Sequence, residues 1–229
     1  AFLSSPFHLE FLARSLWISA YCTAITAVLG YVIAYAMHRA SPRARVIAGA
    51  ILIIQFFTAY VIRTYAVMLA IGKNGIVNQA LLAAGVIDAP LALLFTETGV
   101  AVGMVLVSLP FMVFPIFNSL QAIPANLETA ATSLGASGMR TFWEVIFPLT
   151  MPGLAAGIVI VFLFELTSYI VPGVLGGGYV DMMANLIYAK AMQSFDYPFA
   201  AAAAMIMLVV SALGVYALQK ILRMLSPRM

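Results

Sequence analysis

Charge is what this chain has least of. Only 8% of its 229 residues are Asp, Glu, Lys or Arg, against about 25% in a typical soluble domain. Cysteine occurs once, at Cys22, which excludes an internal disulfide and a cysteine-bound metal cluster. Histidine occurs twice, at His8 and His38. The two fall on opposite sides of the membrane in the topology derived below, so neither a metal site nor a Ser/His/Asp or Cys/His constellation is expected. No run rich in lysine or arginine points to nucleic acid. No Gly-x-x-x-x-Gly-Lys-Ser/Thr loop exists to cradle the phosphates of ATP. The first residues, Ala1 to Pro6, lack the basic and apolar regions of a signal peptide and include no initiator methionine, so the full product is expected to start earlier.

What is present is apolar surface. Hydrophobic residues make up 64% of the chain, more than a water-soluble fold can bury, so lipid is the solvent and an all-α integral membrane bundle is the expected fold. A crossing takes about 20 mostly apolar residues. Five stretches qualify: Leu12–Met37, Val46–Ile71, Thr98–Leu120, Leu149–Val171 and Phe199–Leu222. Between the second and third, Gly72-Lys73-Asn74-Gly75 predicts a turn, followed by a short surface helix over Ile76–Ala84. Pro172 to Gly178 is expected to be irregular because of its three successive glycines.

Arg39, Arg43, Arg45, Arg140, Lys220, Arg223 and Arg228 fall on one side; Lys73, Lys190 and five carboxylates fall on the other. The positive-inside rule makes the first side cytoplasmic and puts residue 1 outside. A span before Ala1 would give six crossings with both ends inside. No convincing internal repeat is seen, which weighs against an inverted-repeat secondary transporter. The whole of 1–229 reads as a single multi-pass membrane domain.

The longest polar interruption between spans, about 121–148, lies on the cytoplasmic side. Pro124 suits a first helical turn, Asn126 a cap, and Glu128 the positive end of the helix dipole. Leu127, Ala130, Ala131 and Leu134 fall at i, i+3, i+4 and i+7 and share one narrow face. Gly135 ends or bends this helix. A second short helix over 136–147 follows, carrying Arg140 and Trp143, and Pro148 and Pro152 reset the chain for the next span. By periodicity this is either a docking element for a partner or an interfacial helix capping the bundle.

The same loop resembles that of permease subunits in binding-protein-dependent ABC importers, which carry Glu-Ala-Ala, three residues, Gly, nine residues and Ile-x-Leu-Pro. Here Thr129-Ala130-Ala131 is followed at the same spacing by Gly135 and Val145-Ile146-Phe147-Pro148. The departures are Thr129 for Glu, Val145 for Ile and Phe147 for Leu; Glu128 stands one position early, a rotation of about 100° around a helix. Further segments, Ile62-Arg63-Thr64-Tyr65-Ala66, Gly72 to Gly75, Leu109-Pro110-Phe111-Met112 and Ser168 to Pro172 with Gly176 to Gly178, are similar to the spermidine/putrescine-type branch. The resemblance runs over roughly Phe11 to Leu222. It implies a place in the bacterial cytoplasmic (inner) membrane, two permease subunits, in this branch usually different chains, an ABC ATPase dimer and a periplasmic or lipid-tethered substrate-binding protein. It also implies that Leu127 to Gly135, with Arg140 and Pro148, couples this chain to the ATPase. No cofactor is implied in this chain; ATP and Mg would belong to the ATPase. Related branches carry opines, phosphonates, sulfate or iron.

Two charges fall inside predicted spans, Arg63 and Glu165. A charge at the bilayer centre costs about 2.5–3.5 kcal/mol on insertion scales, so each needs a reason. Arg63 either snorkels to the outer headgroups or partners Glu165. Glu165 either faces the substrate path, where it would offer a counter-charge to a cation, or hydrogen-bonds between helices. Ser168 and Tyr169, with Thr167 and Tyr60, are further pathway candidates, although aromatics near span ends commonly anchor at the interface. Gln55 and Asn118 suit interhelical hydrogen bonds, and Met182, Met183, Met192, Met205 and Met207 suit packing. A gradient-driven secondary transporter would leave the docking helix unexplained. A membrane enzyme would need the histidine, cysteine or clustered carboxylates that are scarce here.

Overall fold

The computed structural model describes residues 6–225; the side chain of Arg223, and Arg228 and residue 1 with their assigned sides, lie outside what it describes. Among the described residues there is no strand. α1 (Pro6–Arg39), α2 (Pro42–Phe57), α3 (Tyr60–Ile71) and α4 (Ile76–Ala83) lead to α5 (Glu97–Gln121). Then come α6 (Ala125–Ser133), α7 (Gly138–Thr141), a π turn over Phe142–Ile146, and α8 (Phe147–Leu166). α9 (Ile170–Leu175), α10 (Met183–Tyr188), a second π turn over Ala189–Gln193 and α11 (Tyr197–Leu225) complete the chain.

Five helical stretches are long and apolar enough to cross a bilayer: His8–Arg39, Tyr60–Ala83, Glu97–Gln121, Gly138–Leu166 and Tyr197–Ile221. The second differs from expectation, because Val46–Ile71 is broken at Thr58–Ala59. The Thr58 amide and hydroxyl both donate to the Ile54 carbonyl, at 2.9 and 2.7 Å, while its backbone turns extended (ψ 133°). At 1.5 Å per residue α2 and α3 are about 24 and 18 Å long, each short of a ~30 Å bilayer core. The expected second span is thus two short helices, and the stretch there that is long and apolar enough to cross begins only at Tyr60. The Tyr60–Ala83 stretch is not a single rod either, since Gly72 to Gly75 turns inside it, closed by Gly75 N–H on Gly72 O. The expected turn and short helix follow there, pinned by buried Asn78, which bonds Gly72 O and both backbone groups of Leu91.

α5 is the axis of the bundle. Its outer half packs Val100, Met104 and Val107 with Ile18 and Cys22 of α1 and Leu175 of α9. Its inner half packs Met112, Ile116 and Leu120 with Ala34 and Met37 of α1 and Val161 of α8. α11 docks by Ala203 and Met207 on Phe162 and Leu166 of α8. Small residues set the crossing of α5 and α8: a Cβ built on Gly153 of α8 would lie 2.3 Å from Pro115 O of α5, and one on Gly157 would lie 2.7 Å from Met112 Sδ. Gly153 and Gly157 form the small-xxx-small spacing through which membrane helices approach.

Pro110 inside α5 has no N–H, so the Leu106 carbonyl one turn back loses its helical donor. Gln55 Nε2 of α2 donates to that carbonyl, and Arg63 Nη1 of α3 donates to the neighbouring Val107 O at 3.2 Å. Gln55 therefore makes the interhelical bond expected of it. Asn118 does not; it is exposed on the inner end of α5.

The outer loop is more ordered than three glycines suggest. α9 runs through Pro172 and Gly173, since a first-turn proline is compatible with a helix. Only Gly177 (φ +56) and Gly178 (φ +82) adopt left-handed backbone. Met182, Met183 and Met207 pack in the core, whereas Met192 and Met205 are exposed.

Candidate functional site

On the cytoplasmic side, Pro124 is the N-cap of α6 and Asn126 lies within the first turn, so the expected Asn126 cap is not made. Gly135 ends the helix as expected. It takes φ +84, and the turn closes with Ala136 N–H on Ala131 O and Gly135 N–H on Thr132 O, both 3.0 Å, the pair of bonds of a Schellman motif. The expected separate helix over 136–147 is instead the start of a continuous run. α7 passes through the π turn into α8, with Phe147 N–H reaching back to Phe142 O. The i−5 register takes up the chain where Pro148, in the first turn of α8, offers no donor.

α6 lies against α7 and the π turn and presents an outward face. Leu127, Thr129, Ala130 and Leu134 are exposed, Leu134 to 89%, while Glu128 and Ala131 turn partly inward. Met139 (70%) and Trp143 (56%) add apolar surface at the same end. Arg140 does not reach α6; it pairs with Glu144 one turn on, at 2.9 Å, both exposed.

Glu128 is tied to the first span. Its carboxylate meets Arg39, the last residue of α1, at 3.1 Å. The Arg39 guanidinium lies 5.3 Å from the Tyr35 ring centroid, and Tyr35 sits edge-on to Phe142 of the π turn at 5.1 Å. Tyr31, one turn earlier, shares a 2.8 Å hydrogen bond with Thr150 of α8. Thus α6 is connected both to α1 and to the root of α8. Sequence reading had no signal for Arg39 as the partner of Glu128; its place in the last turn of a long span was the available hint.

In the membrane, Glu165 is 1% exposed, between α1, α5 and α8. Thr23 donates to one carboxylate oxygen and Ser108 to the other, each at 2.9 Å, and Thr26 lies 3.3 Å from Ser108. Arg63 is not its partner, being bound to Val107 O. Ser108 comes from α5, whereas Thr23 and Thr26 belong to a buried stripe on one face of α1, with Ser15 and Ser19, whose helical spacing was readable and missed. Ser15 also accepts from Met183 N–H, closing the start of α10 at 2.7 Å. Ser168 is buried and shares a 2.6 Å bond with Tyr60.

Tyr169 is placed differently. It is 42% exposed and lines an outer cleft of about 510 Å³ with Tyr65, Tyr188, Asp181, Asn185 and Gln193. Its ring stacks on Tyr188, 5.1 Å between centroids and 18° between planes.

The sequence pattern of the binding-protein-dependent transport system inner membrane component matches residues 26–229. The spermidine/putrescine transport system permease protein PotB of Salmonella typhimurium (strain LT2) is 35% identical over 211 residues, covering 92% of this chain and 74% of that protein. PotB of Escherichia coli (strain K12) is 33% identical over 226 residues, covering 99% and 82%. Among solved structures, a bacterial alginate ABC transporter in complex with its alginate-bound periplasmic protein superposes with a TM-score of 0.74 at 18% identity, over 98% of this chain and 81% of that one. At that identity the likeness speaks for the fold.

Proposed function

This chain belongs to the family of binding-protein-dependent transport system inner membrane components, and from that premise we propose that it forms one half of the membrane pathway of an importer for polyamines of the spermidine/putrescine kind. It does so beside a second permease, normally a different chain. A binding protein delivers the solute outside and a pair of ABC ATPases drives the cycle from inside. The observation that carries the reading is α6: a short helix outside the bilayer whose Leu127, Ala130 and Leu134 face solvent while Glu128 holds it to α1. An exposed apolar patch rimmed by polar residues marks an interaction surface. The polyamine assignment is supported by the identity to PotB over nearly the whole chain.

Closure of the ATPases would push on α6. The contacts Glu128–Arg39 and Tyr35–Phe142 lead from there to α1 and α8, the two helices packed against α5. ATP then acts by favouring one of two arrangements of the spans. The chain itself carries out no hydrolysis in this scheme.

Co-purification from detergent-solubilised membranes tests the reading, with the intact chain and with residues 126–138 deleted. The expected result is an ATP-hydrolysing subunit captured by the intact chain and lost on deletion, with the deleted form still monodisperse. Failure of the intact chain to capture any ATPase under gentle conditions would overturn it.

A further inference from the structure

We infer that the outer cleft walled by Tyr65, Tyr169 and Tyr188 and bearing Asp181 is a binding subsite for an alkylammonium group, an inference that rests on the import reading above and adds a station for the solute on this chain. The cleft opens on the side away from α6, where α3, the segment after α8, and α10 meet. Its volume of about 510 Å³ falls within the ~300–1,000 Å³ of small-molecule sites. The three tyrosines expose 51%, 42% and 45% of their surface, so ring area faces the opening. Ring faces attract cations, and an ammonium gains most where it is partly desolvated.

The charge on the wall has one sign. Asp181 is the sole charged residue lining the cleft, and it makes no ion pair with the described residues. Lys190 is engaged elsewhere, its Nζ lying 5.3 Å from the Phe199 ring centroid. An anion would meet a carboxylate and no compensating base. A neutral polyol needs side-chain amides to read its hydroxyls; of the two lining the cleft Gln193 alone is left, because the amide of Asn185 is already used. Its Oδ1 accepts from Met182 N–H at 3.2 Å and its Nδ2 donates to Tyr169 O at 2.8 Å. Asn185 thus holds the backbone of Tyr169 against the start of α10, and the stacked pair Tyr169–Tyr188 is fixed before any ligand arrives. A carboxylate beside prepositioned aromatic faces suits a primary or secondary ammonium on a short alkyl chain.

The test is equilibrium binding of radiolabelled spermidine to the protein as it purifies from membranes, without the binding protein and whether or not an ATPase comes along. The subsite and the import reading therefore fail separately: loss of ATPase capture sinks one, loss of spermidine binding sinks the other. Saturable binding is expected, displaced by putrescine and not by sorbitol or glutamate. Asp181→Asn and Tyr188→Leu should each weaken it by about five- to thirtyfold, while Tyr188→Phe, which keeps the ring, should stay within about twofold. Absence of saturable binding, equal affinity in Asp181→Asn and Tyr188→Leu, or equal displacement by sorbitol would overturn the assignment. Tyr188→Phe controls for the hydroxyl alone, so a monodisperse elution peak and an unchanged melting point of Tyr188→Leu are read beside its affinity to separate lost binding from a fold defect.

Discussion

At Glu165 two hydroxyl donors occupy the two carboxylate oxygens inside a three-helix junction. Replacing the acid by Gln keeps a polar group of the same shape, with one carbonyl acceptor. Replacing it by Leu leaves Thr23 and Ser108 with no acceptor across the interface, at a cost of about 1–3 kcal/mol for buried unsatisfied groups. Glu165→Leu should therefore lower the thermal unfolding midpoint of the purified protein clearly more than Glu165→Gln; equal losses would mean that charge, not hydrogen bonding, matters there. Gly135 is the opposite case, a residue whose neighbourhood is empty. A Cβ there would touch nothing within 4 Å, so the obstacle to substitution is the backbone at φ +84. Left-handed backbone costs an ordinary side chain about 1–2 kcal/mol and Asn less. Gly135→Leu should reduce ATPase capture and transport at normal expression, Gly135→Asn should largely retain both, and wild-type behaviour of the Leu variant would remove Gly135 from the coupling geometry.

Among the elements, α8 and α5 cross where Gly153 and Gly157 leave no room for a side chain. Gly153→Leu forces the helices apart at Pro115 and should destabilise the protein by about 1–3 kcal/mol or more, as overpacked cores do. The readout is loss of the monodisperse peak after mild heating, and an unaltered melting point would refute the packing account. The five spans were legible in the sequence because 20 apolar residues have few other uses, whereas the small-xxx-small spacing of Gly153 and Gly157 was there and went unread. The short helix α6 and its end were legible from Leu127, Ala130 and Gly135 for the same reason: periodicity and a glycine stop are local. What else escaped was non-local. Nothing between Gln55 and Tyr60 announces a break, as neither glycine nor proline stands there, and the bond that ends α2 comes from the Thr58 hydroxyl. Neither reading of Arg63, snorkelling or pairing with Glu165, foresaw its acceptor, a backbone carbonyl at Val107 next to the one that Pro110 frees. The π turn at Phe142 likewise depends on how α7 and α8 join, which no residue count reveals.

For the whole molecule, the two ends carry different chemistry. The inner end offers Leu127, Leu134, Met139 and Trp143 to a soluble partner; the outer end offers tyrosines and a carboxylate to a cation. Arg39–Glu128 is the one ion pair among the described residues that joins α6 to a span. Half-exposed pairs contribute about 0.2–1 kcal/mol. Arg39→Ala should therefore leave ATPase capture intact and act on coupling, lowering solute uptake per ATP hydrolysed in proteoliposomes; an unchanged ratio would exclude the pair from transmission. The break between α2 and α3 bears on how such a signal travels. Gln55 before the break and Arg63 after it are fastened to successive carbonyls of α5, so the joint at Thr58–Ala59 is stapled on both sides to the central helix. Two such bonds predict a fixed elbow in place of a hinge, with both arms moving together with α5. Spin labels placed at Phe57 and Val61 should keep a constant separation through the nucleotide cycle; a separation that changes would make the joint a hinge.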